Sequence, residues 1–115
     1  MTRVVDYNEA VDMAGGNPEL AKDLFGMLLK DLPILQQQLL EAISQADMTA
    51  IRDNAHKIHG STAYCSVPQL REAAATMETI TSSQDLAAIR KQFQKLETAI
   101  KALLDLGPGY LEQSW

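Results

Sequence analysis

The sequence predicts an all-α fold: an antiparallel up-down four-helix bundle with a short extra N-terminal helix. Three observations carry that prediction. Apolar residues recur at steps of three and four along most of the chain, and helix-start and helix-stop residues punctuate those runs. No stretch alternates apolar and polar residues as a half-buried strand would. The turns between runs are short, which favours antiparallel neighbours.

Asp6 is placed to cap a first short helix, roughly Tyr7 to Ala14, which Gly15-Gly16 ends. Asn17-Pro18-Glu19 marks a second start, with Asn as N-cap, Pro at the first helical position and an acid in the first turn. Leu20, Leu24, Leu28, Leu32, Leu35, Leu39 and Ile43 form its apolar stripe. Pro33 removes a backbone donor inside that run and predicts a kink or a short break. Asp47 caps the next helix, whose buried stripe is Ile51, Ala55, Ile58, Thr62 and Cys65. After Ser66-Val67-Pro68 comes a stripe of Leu70, Ala74, Met77 and Ile80. Ser82-Ser83 opens the last helix, where Leu86, Ile89, Phe93, Leu96, Ile100 and Leu103 step along one face. Gly107-Pro108 is expected to stop it, leaving a core of about 7–106 and a frayed tail over 107–115.

A chain of 115 residues fits a single domain, 1–115, able to bury a core without disulfides or metals. The balance of 15 acidic against 10 basic residues, net charge −5, argues against a nucleic-acid partner, which requires a basic stripe. No apolar run reaches the length of a membrane span, so no direct membrane contact is expected, and Met1 to Asp6 lacks the apolar stretch of a signal peptide. The lone cysteine, Cys65, permits no intramolecular disulfide and suits a reducing compartment. A cytoplasmic monomer is the expectation.

The third long helix departs from plain packing. With Ile51 at 0° and about 100° per residue, the stripe through Cys65 stays within roughly 40° of it. His56 then falls near 140°, His59 near 80°, Gly60 near 180° and Ala63 near 120° by the same helical arithmetic. Both histidines of the chain therefore share one flank. Gly60 inside a helix costs about 0.5–1 kcal/mol relative to Ala, which calls for an explanation. Another helix approaches there, the helix ends early at Gly60, or Gly60 and Ala63 clear a shallow recess around His56. An exposed imidazole is largely neutral at pH 7 and can act as a nucleophile. His59 could then hydrogen-bond or place positive charge beside a phosphoryl oxygen. Arg52 and Lys57 are either a solvated face or a source of positive potential for a docking partner.

His56 and His59, with Asp53 three residues before, form a partial metal-ligand set. No third histidine exists, Cys65 lies on the core stripe, and HExxH and CxxC are absent, so no metal site is expected. GxxxxGK[ST] and GxGxxG loops are also absent, so the chain shows no ATP site of its own. A helical adaptor or a metal-binding bundle are the alternatives to histidine chemistry.

Ala55-His56-Lys57-Ile58-His59-Gly60-Ser61 resembles the signature of histidine-containing phosphotransfer (HPt) domains, roughly Ala-His-x-Leu/Ile-Lys-Gly-Ser/Ala. Val67-Pro68-Gln69-Leu70 occupies the family's following turn. Glu78, here preceded by Met77, sits where a Leu-Glu pair often closes the next helix, and Gly15 to Leu20 is similar to the family's Gly-Gly-Asp opening. The resemblance covers roughly Tyr7 to Leu104. His59 stands where the family most often has Lys, a variant similar to the C-terminal HPt domains of BarA/GacS-type hybrid sensor histidine kinases. The resemblance implies a phosphorelay intermediate. His56 would take a phosphoryl group from an aspartyl phosphate on one receiver domain and pass it to an Asp of a response regulator. His59 and Gly60 would support the transfer, and Arg52, Lys57 and Ala63 would lie in the receiver docking surface. No cofactor belongs to this domain on that reading, Mg²⁺ being carried by the receiver. A parent sensor kinase would tether the domain to the inner membrane from the cytoplasmic side.

Overall fold

The structure, a computed structural model, describes residues 4–112. It contains α1 (Tyr7–Met13), α2 (Pro18–Ser44), α3 (Met48–Ser61), α4 (Pro68–Ile80) and α5 (Leu86–Glu112), and no strand among the described residues. Each of the four long helices packs on the next, and α5 closes the ring against α2, while α1 lies on α2. The 42 Å long axis is close to the length of the two 27-residue helices, α2 and α5, at about 1.5 Å per residue.

The helix starts are set by side chains that satisfy otherwise orphaned N–H groups. Asp6 accepts from the Glu9 N–H at 3.1 Å, Asn17 from Leu20 at 3.1 Å and Asp47 from Ala50 at 3.1 Å. Each such cap stabilises its helix by about 1 kcal/mol. Gly15 and Gly16 turn the chain from α1 into α2 at φ of +70° and +83°, a left-handed conformation that glycine adopts without strain.

The core is the set of predicted stripes brought face to face. Leu28, Leu32, Leu39, Ile51, Ala55, Ile58, Leu70, Ala74, Met77, Ile89, Leu96, Ile100 and Leu103 are all buried. Leu20 is exposed, and Leu24 and Leu35 are only partly buried. At that end of α2 the inward positions are instead Ala21, which packs with Ala10 and Ala14, and Phe25.

Three expected breaks fall elsewhere. α2 runs unbroken through Pro33, an exposed residue on the solvent side, while Leu32 and Leu39 on the core side are fully buried. Ser82-Ser83 does not open α5. The Ser82 and Ser83 hydroxyls donate back to the Thr79 and Ile80 carbonyls at 2.8 and 2.7 Å, tightening the end of α4 into a 3₁₀ turn, Thr81–Ser83. After Gln84, at φ +56°, Asp85 starts α5 by accepting from the Ala88 N–H at 3.2 Å.

The third correction concerns Gly107-Pro108, which α5 crosses. Proline inside a helix costs about 3 kcal/mol, so packing must offset it. Gly107 is buried, and a Cβ there would lie 2.6 and 2.7 Å from the two δ-carbons of Leu29. One turn on, the Tyr110 ring packs on Tyr7 with centroids 5.1 Å apart and edge-on to Phe25 at 6.2 Å. Leu111 also packs against the core. The packed helix therefore extends beyond 106 as far as Glu112; positions 113–115 of the expected tail lie outside the described residues.

Candidate functional site

α3 buries Ile51, Ala55 and Ile58 and turns its opposite flank to solvent. The Thr62 and Cys65 end of the stripe is buried as well, although the helix itself tightens after Ser61 into a 3₁₀ turn, Thr62–Tyr64. His56 sits on the open flank with its side chain 72% exposed, and His59, one turn on, is 35% exposed. The helical arithmetic had placed the two rings in that order.

α4 supplies the residue that organises them. The two carboxylate oxygens of Glu78 each accept from one imidazole: Oε1 from Nδ1 of His56 and Oε2 from Nδ1 of His59, both at 2.7 Å. The hydrogen bonds from His56 and then His59 hold the Glu78 carboxyl below the usual carboxylate range, against a smaller opposing effect of desolvation. An ionised carboxylate is acceptor-only, so both Nδ1 atoms carry their protons. On a neutral ring the lone pair is then left on Nε2. His56 is thus an exposed ring whose tautomer and orientation are fixed by a carboxylate on the neighbouring helix.

The other predicted residues divide. Arg52 and Lys57 are exposed and, with Asp53, His56 and Glu78, line a shallow cleft of about 470 Å³. Gly60 faces open space: a Cβ there would meet nothing within 4 Å, so no helix approaches it. Ala63 is exposed on the 3₁₀ turn, and neither it nor Gly60 lines that cleft. The concavity at His56 therefore opens toward Arg52 and Lys57, while Gly60 leaves the other side bare. The Ser61 and Thr62 hydroxyls donate to the Ile58 and His59 carbonyls at 2.6 Å and take no part in a histidine pair. Burial pushes the Cys65 thiol up to about 11, leaving it an unreactive core group. Among the described residues, no cluster of three or more His, Cys, Asp or Glu side chains could hold a metal ion.

Residues 23–106 match the model of the Hpt domain family. The chain belongs to that family. Hpt domains are the histidine phosphotransfer modules of two-component phosphorelays, and hybrid kinases carry them as partners of receiver domains. This Hpt domain is 36% identical over 86 residues to the sensor histidine kinase GacS of Pseudomonas protegens, covering 75% of this chain and 9% of that one. It is 31% identical over 101 residues to the signal transduction histidine-protein kinase BarA of Escherichia coli, covering 88% of this chain and 10% of that one. The chain thus spans about a tenth of the length of these relatives. Its fold matches the crystal structure of the HPT domain from a Shewanella sensor hybrid histidine kinase, at a TM-score of 0.64 and 24% identity over 89% of this chain and 94% of that one. No helix of this Hpt domain is long and apolar enough, among the described residues, to cross a membrane.

Proposed function

We propose that His56 is the phosphoacceptor, relaying a phosphoryl group from an aspartyl phosphate on one receiver domain to an aspartate of a response regulator. The observation that carries this reading is the Nδ1 contact to Glu78 on a ring that is 72% exposed. With Nδ1–H held, the Nε2 lone pair attacks phosphorus. The N–P bond forms as the P–O bond to the receiver aspartate breaks, and the bonding pair stays on the departing carboxylate. No proton has to move in that step. The ring becomes a phosphoimidazolium, and the Glu78 carboxylate lies against the charge that develops on it, much as a buried aspartate steadies the imidazolium of a serine-protease triad.

The return step is the same displacement in reverse on the second receiver. A ring that keeps its Nδ1 proton is a good leaving group, so Glu78 serves both directions. Gly60 leaves the approach to the ring unobstructed, and Arg52 and Lys57 offer positive potential to an acidic receiver site. The Mg²⁺ and the aspartyl phosphate belong to the receivers in this scheme. The reading also makes the domain a cytoplasmic module of a BarA/GacS-like hybrid kinase.

Incubation with a phosphorylated receiver domain is the test. Acid-labile, alkali-stable phosphate is expected on the chain, absent from His56→Gln and present in His59→Ala, with helicity and cooperative melting kept in both. Label that survives in His56→Gln and disappears in His59→Ala would move the assignment to His59.

A further inference from the structure

The two imidazoles share one carboxylate, an arrangement that a lysine at position 59 would not reproduce. Each Nδ1 lies 2.7 Å from a different oxygen of Glu78, so the two rings are held within roughly 8 Å of each other. They are also neighbours at i and i+3 on α3. Neither ring nitrogen Nε2 is needed for the carboxylate. Protonation of His59 at Nε2 therefore leaves both hydrogen bonds in place and changes only the charge.

The surroundings leave that charge to be set locally. Glu78 is the α4 group on the rings, and α3 itself contributes Arg52, Asp53 and Lys57 around His56. The 3₁₀ turn Thr81–Ser83, also packed on α3, has no ionisable side chain. The antiparallel turn at 45–47 sets the α2 stretch around Leu32 level with His59, and its ionisable residues Lys30 and Asp31 are exposed. With both rings neutral, the His56–Glu78–His59 cluster carries one negative charge. Phosphorylation of Nε2 with Nδ1–H retained turns the neutral His56 ring into a cationic ring bearing a doubly negative phosphoryl group, so the cluster carries two.

We propose that phosphorylation of His56 draws a proton onto Nε2 of His59, which Glu78 holds beside the modified ring, making His59 the proton-linked charge partner of the phosphoryl group. This rests on His56 as phosphoacceptor. An imidazole can gain and lose that proton, where a lysine would stay charged throughout.

Potassium phosphoramidate phosphorylates the chain without a receiver. His56 Nε2 attacks phosphorus, the donor P–N bond breaks, and ammonia leaves with the pair. Ring ¹⁵N–¹H NMR then follows both histidines across pH 5 to 9 with and without the label, a readout that a merely structural His59 would not move. The expected result is that His59 titrates higher in the labelled chain, with about a tenfold gain in proton affinity. Glu78→Gln, which offers one acceptor oxygen in place of two, should reduce that shift. A His59 titration that does not move in a chain labelled at His56 overturns the coupling and leaves the phosphotransfer reading standing. A full shift in Glu78→Gln overturns the role of the shared carboxylate. A chain that phosphoramidate does not label at His56 overturns both readings.

Discussion

The flank of α3 and the far end of α5 use opposite means to hold side chains in place. At the flank, two imidazoles and a carboxylate are fixed by hydrogen bonds, with His56 largely in water and His59 and Glu78 partly so. At the end of α5, Gly107, Tyr110 and Leu111 are fixed by shape, against Leu29, Tyr7 and Phe25. Directional contacts position a ring and leave it reachable, whereas close packing positions a ring by covering it. The proposed site lies where the domain gives up burial, and the stability lost there is supplied by helix faces turned the other way.

That contrast can be broken from the packed side first. Gly107→Leu should cost about 2–3 kcal/mol of unfolding free energy by denaturant titration, because Leu29 must vacate the space its δ-carbons fill. Labelling of His56 per folded molecule should be unchanged, and a loss of labelling would show that the two regions are not independent. Gly60→Leu should do the reverse. The space beyond Gly60 is open, so melting should hardly change, while transfer from a receiver falls about tenfold and labelling by phosphoramidate is kept. Equal losses with both donors would show that the obstruction lies at the ring and not at the docking face.

The flank has its own acid signature. Glu78 titrates lower in the folded chain than an ordinary carboxylate, so its contribution to stability is present above about pH 4.3 and is lost as pH falls through the folded value. Glu78→Gln should therefore show a flatter dependence of melting temperature on pH between 5 and 3. Parallel curves for the two proteins would mean that the hydrogen bonds from His56 and His59 contribute nothing to folding. The smallest effect expected is at Ala46, which sits at φ +52° in the turn after α2. Ala46→Gly should raise stability by about 0.5–1 kcal/mol, since only the alanine pays for the left-handed conformation.

Most of the fold was legible because its signals are local. Asp6, Asn17-Pro18 and Asp47 each cap a helix within three residues of themselves, and the stripe from Ile51 to Cys65 needs only the helical period. The misreadings are places where a local rule loses to contacts from elsewhere. Gly107-Pro108 reads as a stop until Leu29 is seen against Gly107 and Tyr7 and Phe25 against Tyr110, and these lie far away in sequence. Ser82-Ser83 can cap a following helix or bond back to the preceding one, and the sequence does not choose between them. At the site, the shared flank and the greater exposure of His56 followed from angles alone. Glu78 was marked only as a residue that often closes the next helix. Its grip on both rings depends on how α4 slides against α3, which no periodicity specifies.

The connectivity of the site has a practical corollary. Asp47, His56, His59 and Glu78 all belong to one helical hairpin, α3 and α4, joined by the turn through Ser66 and Val67. The ring closure of α5 on α2 and the meeting of Tyr7 with Tyr110 tie together the two ends of the chain, but neither contributes an atom to the histidine–carboxylate cluster. The histidine–carboxylate cluster is therefore local to that hairpin. Its geometry is written in about one third of the sequence, so a designed scaffold needs to reproduce only the pairing of two antiparallel helices at the right offset, with any partner able to cover Ile51, Ile58, Leu70 and Met77 from behind.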